Sequence, residues 1–205
     1  MDTTRVSKPR KNRRFFGRGL MLAALGLVGS LVLATSTVPA SAQAPAGVPD
    51  LATLKFTDSE GKTLNAESVA RGLRLFRDRA NCKYCHGWNG KGSLVEGEPP
   101  ALPLTTTKLA QADLVEVINC GRIGKTMPFH NQEAYSANFP CYGLTTKELQ
   151  PGDMPRKPFG TLSVEQANDI ANYVLAAYRD KAMTWEICAA YFNNAASREC
   201  EQYKK

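Results

Sequence analysis

Cys82-Lys83-Tyr84-Cys85-His86 sets two thiols three residues apart, with an imidazole directly behind the second. Four chemistries use such groups: a redox dithiol, a zinc site, an ordinary disulfide, and thioether attachment of a porphyrin. Two thiols at this spacing can add across the two vinyl groups of one porphyrin edge, and the following histidine can then offer a ring nitrogen to the iron. A redox pair calls for a β-α-β setting, which the surrounding pattern lacks. Zinc calls for further Cys/His pairs at ligand spacing. The motif therefore predicts one covalent haem c, attached through Cys82 and Cys85, with His86 as the proximal ligand.

Met127, Met154 and His130 compete for the sixth position on the iron. A thioether opposite histidine raises the reduction potential and suits an electron carrier. Met127 follows a helix and the turn from Gly121 to Lys125, and Pro128 restrains the backbone that presents it. It is the first choice. Met154, also followed by a proline, is the second, and His130, which would give a low-potential pair of imidazoles, the third. With both axial positions filled, the iron has no vacancy for substrate, and the chemistry is outer-sphere transfer of one electron. The other nitrogen of His86 needs an acceptor, and a backbone carbonyl near Pro99, Pro100 or Pro103 could serve.

The elements that must position these groups are few. Val69, Leu73, Phe76 and Ala80 recur at helical spacing and predict a helix over 66–80. Pro99, Pro100 and Pro103 bar a regular helix between 86 and 106. A second helix is expected over 113–120, with Gly121 as its stop. A third opens at Ser163, where Gln166 completes a capping box, and buries Ala167, Ile170, Tyr173, Val174 and Ala177. Residues 121–162 show no period, and a loop of that length demands a functional reason. So few short helices leave little apolar surface for a core, unless a cofactor fills the middle.

Residues 1–42 combine a basic stretch ending at Arg18, an apolar run from Leu20 to Ala34, and Ala40-Ser41-Ala42, the pattern of a cleaved secretory signal peptide. The run is too short to span a bilayer. The leader also holds seven of the 26 Lys/Arg and one of the 19 Asp/Glu, so the remaining chain carries 19 basic against 18 acidic residues, a net charge of +1. That balance removes the case for nucleic-acid binding. The expected mature protein is exported and periplasmic, with no membrane span. Residues 43–64 read as a flexible arm, 65–183 as the haem domain, and 184–205 as a C-terminal extension.

With these residues in view, the chain resembles the class I monohaem c-type cytochromes across roughly residues 66–180. Gly72 and Phe76 look like that family's first-helix packing residues, though about two residues further from Cys82 than usual. Cys82 to Gly87, Val117 to Arg122 with Met127-Pro128-Phe129, and Ile170 to Val174 carry the rest. The resemblance implies an all-α fold of short helices and long loops wrapped around one covalent haem. Met127-Pro128-Phe129-His130, Ala134-Tyr135-Ser136, Cys141-Tyr142-Gly143-Leu144 and four further cysteines are similar to cytochromes of bacterial methanol oxidation. That likeness implies a PQQ-dependent alcohol dehydrogenase as electron donor, and another cytochrome c or a terminal oxidase as acceptor. The rivals are a small peroxidase-like haem enzyme with an open distal site, and a cytochrome subunit bound permanently to a dehydrogenase.

Cys120, Cys141, Cys188 and Cys200 permit three pairings. Cys120–Cys141 with Cys188–Cys200 is preferred, because each closes a short local loop. Lys83, Lys91, Arg122 and Lys125 could ring an exposed haem edge and steer a partner, and Trp88 is expected to pack against the porphyrin.

Overall fold

A computed structural model describes residues 45–92 and 101–205; the expected signal peptide, with Pro99 and Pro100, lies outside the described residues. Among the described residues five α-helices carry the fold: α1 (Ala66–Arg74), α2 (Lys83–His86), α3 (Gln111–Cys120), α4 (Val164–Ala177) and α5 (Trp185–Phe192). Among the described residues no helix is long and apolar enough to cross a membrane.

α1 begins where the Asn65 side chain accepts the Ser68 N–H, and α4 where Ser163 and Gln166 cap one another reciprocally. The two helices cross backbone to backbone at Gly72. A Cβ there would sit 2.0 Å from the Asp169 carbonyl oxygen, so only glycine permits the approach. Polar groups lock the crossing. The Asp169 carboxylate accepts from Ser68 Oγ at 2.6 Å, from Arg71 Nε at 2.9 Å and from Arg71 Nη2 at 3.0 Å. Asn172 in turn donates to Ser68 Oγ. A buried carboxylate is tolerated because each oxygen has a donor. Below the crossing, Tyr173 packs edge to face on both Phe76 and Tyr178, which meet each other at a tilt.

After Arg74 the helix widens into a π turn over Leu75–Arg79, closed by Ala80 N–H to Leu75 O at 2.9 Å. A widened turn absorbs extra chain within a continuous helix, which accommodates the long Phe76–Cys82 spacing. Asn81, at φ 51°, then reverses the chain into α2.

Two expectations change. Phe56–Thr57 and Thr63–Leu64 form an antiparallel ribbon, β1 and β2, so the regular structure is mainly but not wholly helical. Residues 43–64, expected as a flexible arm, are in their described part held on the core: Leu51, Phe56 and Leu64 are buried. The anchor is Arg179, whose buried guanidinium donates to Ser59 Oγ and Leu109 O at 2.9 Å each and pairs with Glu60. Such long-range anchoring leaves no periodic mark in the segment itself.

Gly72→Ala should destabilise the protein by about 3 kcal/mol or more, since the methyl group meets backbone that cannot yield locally. A guanidinium unfolding curve checks this, and an unchanged midpoint would contradict the crossing described.

Candidate functional site

α2 is a single turn that carries the sequence-predicted Cys85 and His86, with Cys82 as its N-terminal cap. His86 Nδ1 donates to the Leu102 carbonyl oxygen at 3.2 Å. The acceptor thus belongs to the residue before Pro103, within the segment the prolines marked, although a carbonyl carries no signature of its own. A proton fixed on Nδ1 leaves the lone pair on Nε2. Burial holds the imidazole below its usual pKa, assisted by the positive charge of Arg122 and opposed by the Leu102 bond. A neutral ring is the form that binds metal.

The thiols tell against a redox pair. Burial pushes Cys82 up to about 12, whereas the attacking thiol of a C-x-x-C oxidoreductase is depressed. The other four cysteines form Cys120–Cys141 and Cys188–Cys200, the local pairings favoured by loop size. No group of three or more His, Cys, Asp or Glu able to hold a metal ion occurs among the described residues.

Residues 121–162 form a second small core rather than a loose loop. Cys120, Ala134, Tyr135 and Cys141 are its buried centre. Tyr135 Oη donates to Cys120 O at 3.0 Å, and Tyr142 Oη donates to Gly121 O. This unit presents Met127 beside the end of α3. Gly121, at φ 68°, lies so close to the returning chain that a Cβ would fall 2.7 Å from Phe129 N and 2.8 Å from Met127 O. Arg122 N–H donates to Met127 O at 3.3 Å.

The rival distal ligands sit differently. Met154 is exposed, while Met127 is partly buried. His130 is buried, with Nδ1 donating to Gly160 O at 2.8 Å and its backbone tied to Asn119 and Leu162. Its role visible here is to pin the Met127 segment to the approach of α4.

The residue types around α2 suit a large flat apolar group. Tyr84 and Phe159 meet edge to face at 5.5 Å while both remain exposed. Leu102, whose carbonyl holds His86, is 72% exposed. Large apolar side chains at the surface of segments that converge on a thiol–imidazole turn fit a macrocycle that would cover them. Lys83, Lys91, Arg122 and Lys125 are exposed, as a docking rim requires. Trp88 has neighbours the sequence did not point to. Its ring lies among Phe192, Tyr191 and Tyr203 of the C-terminal extension, a neighbourhood that a lone tryptophan in a loop does not announce.

The site residues thus fall on two pieces of chain, a turn that carries two thiols and an imidazole and a loop that carries Met127 beside the end of α3. The family model described as Cytochrome c matches residues 69–177, more than half of the chain, and the chain belongs to that family. No curated protein and no solved structure matches it. Membership implies covalently bound haem c and haem-based electron transfer, with carriers rather than enzymes as the usual form.

Cys120→Ala/Cys141→Ala should cost roughly 3 kcal/mol in the chain-entropy account of a loop of this length. Chemical denaturation of the double variant checks it. Stability equal to that of the parent would mean the bridge does not hold the Met127 unit.

Proposed function

We propose that the chain is a monohaem electron carrier in which Cys82 and Cys85 hold the haem by thioether bonds, His86 Nε2 is the proximal ligand and Met127 is the distal one. The observation that carries this reading is the His86–Leu102 hydrogen bond, which fixes the tautomer and frees Nε2 for iron. The bound haem supplies one reversible electron. The protein's part is to hold both axial donors and to exclude water from the macrocycle. Met127 is preferred to Met154 for its lower exposure and for the restraint that Gly121, Arg122 and Pro128 place on its backbone.

The purified protein should keep its haem through acid–organic extraction. Met127→Ala should lower the reduction potential, admit exogenous ligands and abolish the weak far-red methionine–ferric band, while Met154→Ala should keep that band. Loss of the band only in Met154→Ala would reassign the ligand. A wild-type protein that lacks the band and binds cyanide readily would transfer the reading to a peroxidase-like haem enzyme.

The leader pattern supports a periplasmic location. The likeness of the Met127–His130, Ala134–Ser136 and Cys141–Leu144 stretches to cytochromes of methanol oxidation supports a PQQ-dependent alcohol dehydrogenase as donor. A further cytochrome c or a terminal oxidase would take the electron. With a net charge of +1 outside the leader, long-range attraction is small, and neutralising Lys83, Lys91 or Lys125 should slow association chiefly at low salt. Stopped-flow mixing with reduced methanol dehydrogenase tests the donor. Negligible reduction at every ionic strength would remove it and leave a carrier with another source of electrons.

A further inference from the structure

The family match ends at residue 177, yet the chain beyond it reaches back to the turn that carries His86. Tyr178, fully buried at the end of α4, donates from Oη to Trp88 O at 2.7 Å. Its hydroxyl oxygen also meets that of Tyr173 at 2.8 Å. Since Tyr178 gives its proton to Trp88, Tyr173 is the donor within that pair. The Tyr178 ring lies 2.7 Å from where a side chain on Gly90 would stand.

Further along, Tyr191 and Phe192 of α5 and Tyr203 of a 3-10 turn (Arg198–Tyr203) surround the Trp88 ring, with centroids at 6.1, 5.1 and 6.5 Å. Cys188–Cys200 ties these two pieces together, and Arg77 Nη1 holds α5 to the end of the first helix through Tyr191 O at 2.6 Å. The held loop connects directly to the imidazole. Gly92 N–H donates to His86 O at 2.9 Å, Leu104 N–H donates to Gly90 O at 2.7 Å, and the neighbouring Leu102 O accepts from His86 Nδ1.

We infer that Tyr178 and the C-terminal extension together form a clamp on the loop 87–92, and that Tyr178 and Trp88 are positioning residues for the His86–Leu102 hydrogen bond. The inference rests on the proposed role of His86. The Nδ1–H bond makes an axial imidazole a better donor to iron and favours the ferric state. Loosening the clamp weakens that bond and moves the reduction potential upward.

Two variants test this in the full-length holoprotein: Tyr178→Phe, which removes one hydroxyl and keeps the ring, and Cys188→Ala/Cys200→Ala, which opens the extension. Amide hydrogen exchange reads the loop directly. Gly90, Gly92 and Leu104 should exchange about tenfold faster or more, beyond any change in slowly exchanging α4 amides. The reduction potential should shift positive in both variants. Unchanged exchange would overturn the clamp. Faster exchange with an unmoved potential would show that the extension stabilises the loop without positioning the imidazole, and would overturn that role. Wild-type spectra report separately on the underlying reading: an iron without histidine ligation there would overturn the proposed function, and the positioning role with it.

Discussion

α1 and α4 touch through their backbones because residue 72 has no side chain, and from that contact the remaining placements follow. The crossing fixes the direction in which the first helix leaves the core. Its widened last turn then delivers Asn81, whose left-handed backbone swings Cys82, Cys85 and His86 out onto a separate turn. The polar lock around Asp169 makes the contact specific as well as close. Ser68 with Arg71, and Asp169 with Asn172, each lie three residues apart, so each pair shares a helix face and the four meet in one register only.

The site is assembled from loops whose rigidity comes from carbonyl oxygens used as sockets. Leu102 O receives the His86 ring, Met127 O the Arg122 amide, Gly160 O the His130 ring and Gly121 O the Tyr142 hydroxyl. Three side chains and one backbone amide thus satisfy loop carbonyls, which an irregular segment must arrange if it is to be buried. The disulfide at Cys120–Cys141 closes the first part of the 121–162 segment.

Much of this was legible in the residues. The C-x-x-C-H turn, the Ser163/Gln166 cap, the Gly121 stop and the two local disulfides each depend on neighbours in sequence, and each could be read there. What escaped depends on distant partners. Leu51, Phe56 and Leu64 have no common period, and they are held by the main apolar core and by Arg179, more than a hundred residues away, which anchors Ser59 and Glu60 between them. The acceptor for His86 could be located to a proline-bearing segment but not to a residue, because backbone groups are alike in every sequence. Trp88 was read as a neighbour of the cofactor because its motif is nearby; its partners lie in the last twenty residues.

The cysteine pairs also bear on how the chain acquires its structure. Along the sequence the six cysteines fall into consecutive couples, 82 with 85, 120 with 141, and 188 with 200. No bridge encloses or interleaves with another couple. Of the three ways to join Cys120, Cys141, Cys188 and Cys200, this is the one that a chain emerging from its N-terminus reaches by closing the first two of them before the last two appear. Oxidation at 120–141 and 188–200 then traps nothing needed at 82 and 85, since neither bridge spans or uses the first couple.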